Sequence, residues 1–154
     1  MSLLKWLFGD RESTHETAAK QLLAFNHACL AFGGDVSESE KHRLSRLLFL
    51  LGAVDCASQA YKMSEKDFAL LAKLVFDTLD TPPPYVEVLF DAFVHLDAVP
   101  VVRDHVIEGG RCFSQWLNGN SMVAFPGHSQ IQRAAGNPAF PASPGHLYVL
   151  LHPQ

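Results

Sequence analysis

The sequence predicts an all-α domain: an irregular bundle of five to six helices, with a Pro/Gly-rich C-terminal segment wrapped across it and at most a short β-hairpin in that segment. Three observations lead there. Apolar residues recur every three to four positions through the first three quarters of the chain, the period of a helix with one buried face. Ser-x-x-acid sequences stand ahead of the apolar runs, where a helix needs side-chain oxygens for the orphan N–H groups of its first turn. From Asn118 the pattern stops: five of the nine prolines fall in the remainder, and Arg133 is its only charge. The expected organisation is a helical bundle over 1–118, with 1–9 as a short apolar N-terminal helix, and a Pro/Gly-rich, otherwise uncharged extension over 119–154 packed on it.

The first full helix opens at Ser13 and Glu16, a capping box, and carries Ala18, Leu22, Phe25, Cys29 and Phe32 as one stripe before Gly33-Gly34 ends it. Ser37 and Glu40 open the second. Its centre, Leu47 to Val54, is apolar on every side, as expected of a helix surrounded by others. Ser64 and Asp67 cap a third, with Phe68, Leu71, Ala72, Val75, Phe76 and Leu79 facing inward. Pro82-Pro83-Pro84 cannot continue that helix, because proline lacks the N–H and clashes with the preceding turn. Pro84 suits the first turn of a fourth, from about Tyr85 to Leu96, with Val86, Leu89, Phe90 and Phe93 as core face and Glu87, Asp91 and His95 as wet face. A fifth starts near Pro100 and carries Val102, Val106, Phe113 and Leu117. The Gly109-Gly110 doublet inside it marks either a kink or the close approach of another backbone. In the extension, Met122 to Phe125 and Leu147 to Leu151 read as short strands that could pair.

Composition sets outer limits on function. Hydrophobic residues make up 48% and charged ones 18%, a globular balance with enough apolar side chain for one core. A net charge of −4 with no clustered basic face argues against nucleic acid as a partner. No apolar run approaches the ~20 residues that span a bilayer, so no stable membrane insertion is expected. Cys29, Cys56 and Cys112 are widely spaced and odd in number, which suits a reducing compartment; with no signal-peptide pattern at the start, the expected location is cytoplasmic.

Nucleotide, dehydrogenase and metalloprotease motifs are absent, as is a complete nucleophile elbow. What remains is charge and exposure. Between Lys73 and Arg103 there is no Lys or Arg, while Asp77, Asp80, Glu87 and Asp91 all fall there. With the apolar Trp6 and Phe8 near the N-terminus, they nominate a protein-binding surface. The expected function is a small cytoplasmic adaptor, regulator or inhibitor that presents an acidic helical face to a protein partner, including a second copy of itself, without a cofactor. The alternative is a metal-dependent enzyme in which Asp91, His95, His105 and Glu108, from the fourth and fifth helices, hold Zn, Fe or Mn. Separately, His128, His146 and His152 in the extension could form a metal cluster or a pH-sensitive latch. Pro82-Pro83-Pro84-Tyr85 matches the P-P-x-Y pattern of polyproline ligands, although between two helices it reads as a stiff connector with Tyr85 turned inward.

Overall fold

The computed structural model describes residues 13–33, 39–120, 133 and 135–153. They form α1 (Thr14–Gly33), α2 (Glu40–Ala60), α3 (Glu65–Thr78), α4 (Pro83–Val94), a 3-10 turn (Leu96–Ala98), α5 (Pro100–Leu117) and α6 (Pro144–Leu151). No strand occurs among the described residues, so the all-α expectation stands. Met122 to Phe125 lies outside them. Leu147 to Leu151, expected as a strand, is helical. The signal that decides it is Ser143, whose hydroxyl accepts from the His146 N–H at 3.1 Å, with Pro144 in the first turn.

Side-chain caps open α1 and α3 where the sequence places them, whereas α4 and α5 start on prolines without one. The Ser13 hydroxyl accepts from the Glu16 N–H at 3.1 Å, and Ser64 accepts from Asp67 N–H at 3.2 Å. The cap of α2 is Ser39 rather than Ser37: its hydroxyl accepts from His42 N–H at 3.2 Å. Ser37 itself lies outside the described residues.

Helix α2 is the hub. Every residue from Leu47 to Val54 is buried, and the helix packs against α1, α3, α4 and α5. Its principal partner is α5, and the glycines make that contact. A Cβ placed on Gly52 would lie 1.7 Å from the Val106 carbonyl oxygen, and one on Gly109 would lie 1.8 Å from the Phe49 oxygen. The doublet in α5 is thus a site of close backbone approach, one of the two readings its sequence allows; glycine is required at 52 and 109 because a Cβ there would occupy the space of the other main chain. Around the crossing, Phe25 of α1 stacks on Phe49 at 5.9 Å and meets Phe113 edge-on at 5.3 Å.

Helix α4 is rotated from the expected orientation. Its buried residues are Tyr85, Val88, Leu89 and Ala92, whereas Val86, Phe90 and Phe93 are half-buried on its flank. The helix is apolar nearly all round, so periodicity alone does not fix which stripe faces inward. Tyr85 does turn in, with the Arg43 guanidinium 5.3 Å above its ring. The end of the chain closes the bundle. Ala135, Phe140, Leu147 and Leu151 are buried, α6 lies against α4, and the Lys41 ammonium donates to the Asn137 carbonyl at 3.1 Å.

Candidate functional site

Two clefts flank α4. On one side Val86 and Phe90 meet Ala69 and Leu70 of α3 in an apolar groove of about 500 Å³, with Lys66 and Lys73 at its edge. The groove continues as a stripe along α3: Lys66, Ala69, Leu70, Lys73, Leu74 and Asp77 are all exposed, at the three- and four-residue spacing that puts them on one face. Leu70 is 49% exposed and Leu74 41%. Helix α3 thus has two apolar sides. Phe68, Leu71, Ala72, Val75 and Phe76 are buried, while the second side is open.

On the other side of α4, Glu87 and Asp91 line a cleft of about 510 Å³ closed by Pro144, Tyr148 and His152 of the C-terminal helix region. At its end three potential metal ligands converge. His152 Nε2 lies 2.6 Å from one Asp91 carboxylate oxygen, and His95 Nδ1 lies 3.3 Å from the other. The two imidazoles meet edge-on with centroids 5.1 Å apart, and the Tyr148 ring lies 4.7 Å from that of His152. Local structure explains the gathering. Asp91 lies in the last turn of α4 and His95, four positions on, caps its C-terminus, while His152 follows α6, which Leu147 and Leu151 anchor against the bundle.

The residues singled out from sequence are therefore distributed. Asp91 and His95 come together, but His105 and Glu108 do not join them. His105 is fully buried on α5, its Nδ1 2.8 Å from the Val101 carbonyl and its ring 4.6 Å from Phe140, where it packs against the C-terminal segment. Glu108 is engaged by Arg111, whose Nε donates to it at 2.9 Å, and that hydrogen bond holds its carboxyl below the usual range. The four carboxylates expected to form one acidic face are also divided. Asp77 pairs with Lys73 at 2.7 Å within the α3 stripe and Asp80 follows α3, whereas Glu87 and Asp91 belong to the α4–α6 cleft. Trp6, Phe8 and His128 lie outside the described residues, and the His146 Nδ1 accepts from the Ala142 N–H at 2.9 Å, a local turn contact.

No sequence pattern links His152 to Asp91, sixty-one positions away; only the helix at 144–151 brings them together. The two buried cysteines are not activated thiolates. Burial pushes the Cys29 and Cys112 thiols up to about 12, so both are protonated at neutral pH. Among the described residues no helix is long and apolar enough to cross a membrane. Against family models, curated proteins and solved structures alike, the chain has no match.

Proposed function

We propose that the chain is a small protein-binding module whose first partner is a second copy of itself, docked through α3. The observation that supports this reading is the open stripe. Leu70 and Leu74, with Ala69 between them and the Val86/Phe90 groove alongside, make a contiguous apolar strip of the kind that soluble domains rarely leave uncovered without a use. The charges at its ends are self-complementary. When two copies of α3 run antiparallel about a two-fold axis between residues 71 and 72, Lys66 faces the partner's Asp77 at each end. Ala69 faces the partner's Leu74, and the Lys73 stem lies over the partner's Leu70. Neither an all-acidic nor an all-basic partner fits a stripe carrying Lys66, Lys73 and Asp77 together.

A single-helix seam is at the small end of specific interfaces, so its dissociation constant is on the order of tens of micromolar. Solution mass measured against concentration tests the proposal. The 17.0 kDa chain should approach twice that mass in the hundred-micromolar range, and Leu70→Glu should hold it at the monomer mass with an unchanged circular dichroism spectrum. A wild-type mass of 17.0 kDa at every concentration, or a dimer indifferent to Leu70→Glu, would overturn it.

A further inference from the structure

We infer that Asp91, His95 and His152 form a binding site for a divalent first-row transition metal ion, Zn²⁺ foremost. The site is distinct from the α3 stripe and independent of the docking reading. One ligand atom from each residue lies within 4.8 Å of the others, and no other such group of three occurs among the described residues. A tetrahedral ion about 2.0–2.1 Å from each donor needs donors roughly 3.3 Å apart. His152 Nε2 is 2.6 Å from one Asp91 oxygen and His95 Nδ1 3.3 Å from the other, at or below that value, and the remaining separation among the three ligand atoms is within 4.8 Å. Small side-chain rotations complete the triangle.

Three further features favour a cation here over a simple ion pair. His95 and His152 cap the C-termini of α4 and α6, so the negative ends of two helix dipoles point into the same place. The adjoining cleft carries the Glu87 and Asp91 carboxylates and no Lys or Arg among its described lining residues. All three ligands retain exposure, from 22% for the Asp91 side chain to 44% for that of His95, which gives an ion access and leaves the position facing the cleft open. Two imidazoles with one carboxylate select borderline metals over Mg²⁺ and Ca²⁺, which prefer all-oxygen shells. Three protein ligands with one open position is also the arrangement in which zinc carries a water molecule.

The test uses the full chain stripped of metal with a chelator, titrated with Zn²⁺ by calorimetry and with Co²⁺ by visible absorption. One Zn²⁺ per chain is expected, along with the intense bands of four-coordinate Co²⁺ and no displacement by millimolar Mg²⁺ or Ca²⁺. His95→Gln, His152→Gln and Asp91→Asn should each weaken binding by at least about tenfold, since even outer-shell changes cost that much. Melting temperature gives a second readout, with a rise of roughly 5–10 °C at free Zn²⁺ a hundredfold above Kd. His95→Gln is the decisive variant if His152→Gln loosens the C-terminal helix, because its side chain is outside the core. Absence of stoichiometric Zn²⁺ binding would reduce the cluster to an ion pair tethering α6 to α4. Binding unaffected by His95→Gln would assign the metal to other histidines, and equal competition by Ca²⁺ would assign it to the carboxylates. Each of those outcomes overturns the inference.

Discussion

Replacing Gly52 with Ala should destabilise the protein, against the usual direction of such a change in a helix. At an exposed helical site Gly→Ala gains about 1 kcal/mol, because alanine loses less backbone freedom on folding. At Gly52 the new methyl would start 1.7 Å from the Val106 oxygen, and carbon atoms essentially never come within 3.0 Å of such a neighbour. The obstacle is main chain of the facing helix α5, so no side chain can swing aside. The helices α2 and α5 must separate, and a gap of 0.5–1 Å forfeits roughly a quarter to a half of each contact's dispersion energy. Overpacking of this kind costs about 1–3 kcal/mol or more. With a backbone clash at the upper end and the propensity gain subtracted, the net loss is about 2–3 kcal/mol, or roughly 5–10 °C in Tm for a chain of this length. Gly109→Ala, 1.8 Å from the Phe49 oxygen, should behave alike. Gly110→Ala should be close to neutral, since its Cβ would stand 3.2 Å from the Gly52 oxygen. Urea unfolding followed by circular dichroism gives all three values. Wild-type or greater stability in Gly52→Ala and Gly109→Ala would refute the close-crossing argument.

Other consequences can be measured as readily. Ser64→Ala removes the hydroxyl that accepts the Asp67 N–H and should cost about 1 kcal/mol, read from the urea midpoint. Leu151→Ala should cost roughly 2–4 kcal/mol and expose the C-terminal segment to limited proteolysis, since that buried side chain of α6 holds the helix to the bundle. Thiol labelling at pH 8 should reach Cys56 first and leave Cys29 and Cys112 unmodified until the chain unfolds; early labelling of Cys112 would contradict its burial. The same two thiols, raised from 9.0 to about 12 by folding, bind protons more tightly in the native state. Their contribution is therefore fully present below pH 9 and lost as pH rises toward 12, and Cys112→Ser should flatten that alkaline limb. Glu108 has the opposite sign. Its carboxyl is lowered by the Arg111 hydrogen bond, so its contribution is present above about pH 4.5 and lost as pH falls through the folded value. The pair is partly exposed, so Arg111→Met should remove only a small part of the acid-limb slope.

The helices and much of their orientation could be read in the sequence because their signals are local. Ser13 and Ser64 cap where their spacing to Glu16 and Asp67 suggests, and Leu47 to Val54 is buried all round as an apolar run without a polar face demands. Gly109-Gly110 leaves a kink and a close approach open in the sequence, since the crossing that decides between them is set by Gly52 and Phe49, far earlier in the chain. The buried stripe of α4 lies one residue from the one its sequence favours, because Tyr85 to Val94 is apolar on three sides and only packing against α2 and α6 selects the stripe. The strand expected at Leu147 to Leu151 failed for a related reason: a short apolar run suits either period, and the deciding Ser143–His146 cap lies just upstream. The candidate metal group was half legible. Asp91 and His95 share a helix face, whereas His152 reaches them only through the docking of α6, and His105 belongs to the core.

A two-fold α3 seam depends on the order of charges along the helix. Lys66→Asp and Asp77→Lys chains should each fail to self-associate, because each like pair would place equal charges opposite one another at both ends of the seam. Mixed in equal amounts, they should form a one-to-one dimer near the wild-type affinity, each parent homodimer being weaker by roughly tenfold or more. Sedimentation equilibrium of the two chains, apart and mixed, measures this. Dimer only in the mixture is the predicted result; equal behaviour of all three samples would contradict the antiparallel α3 interface.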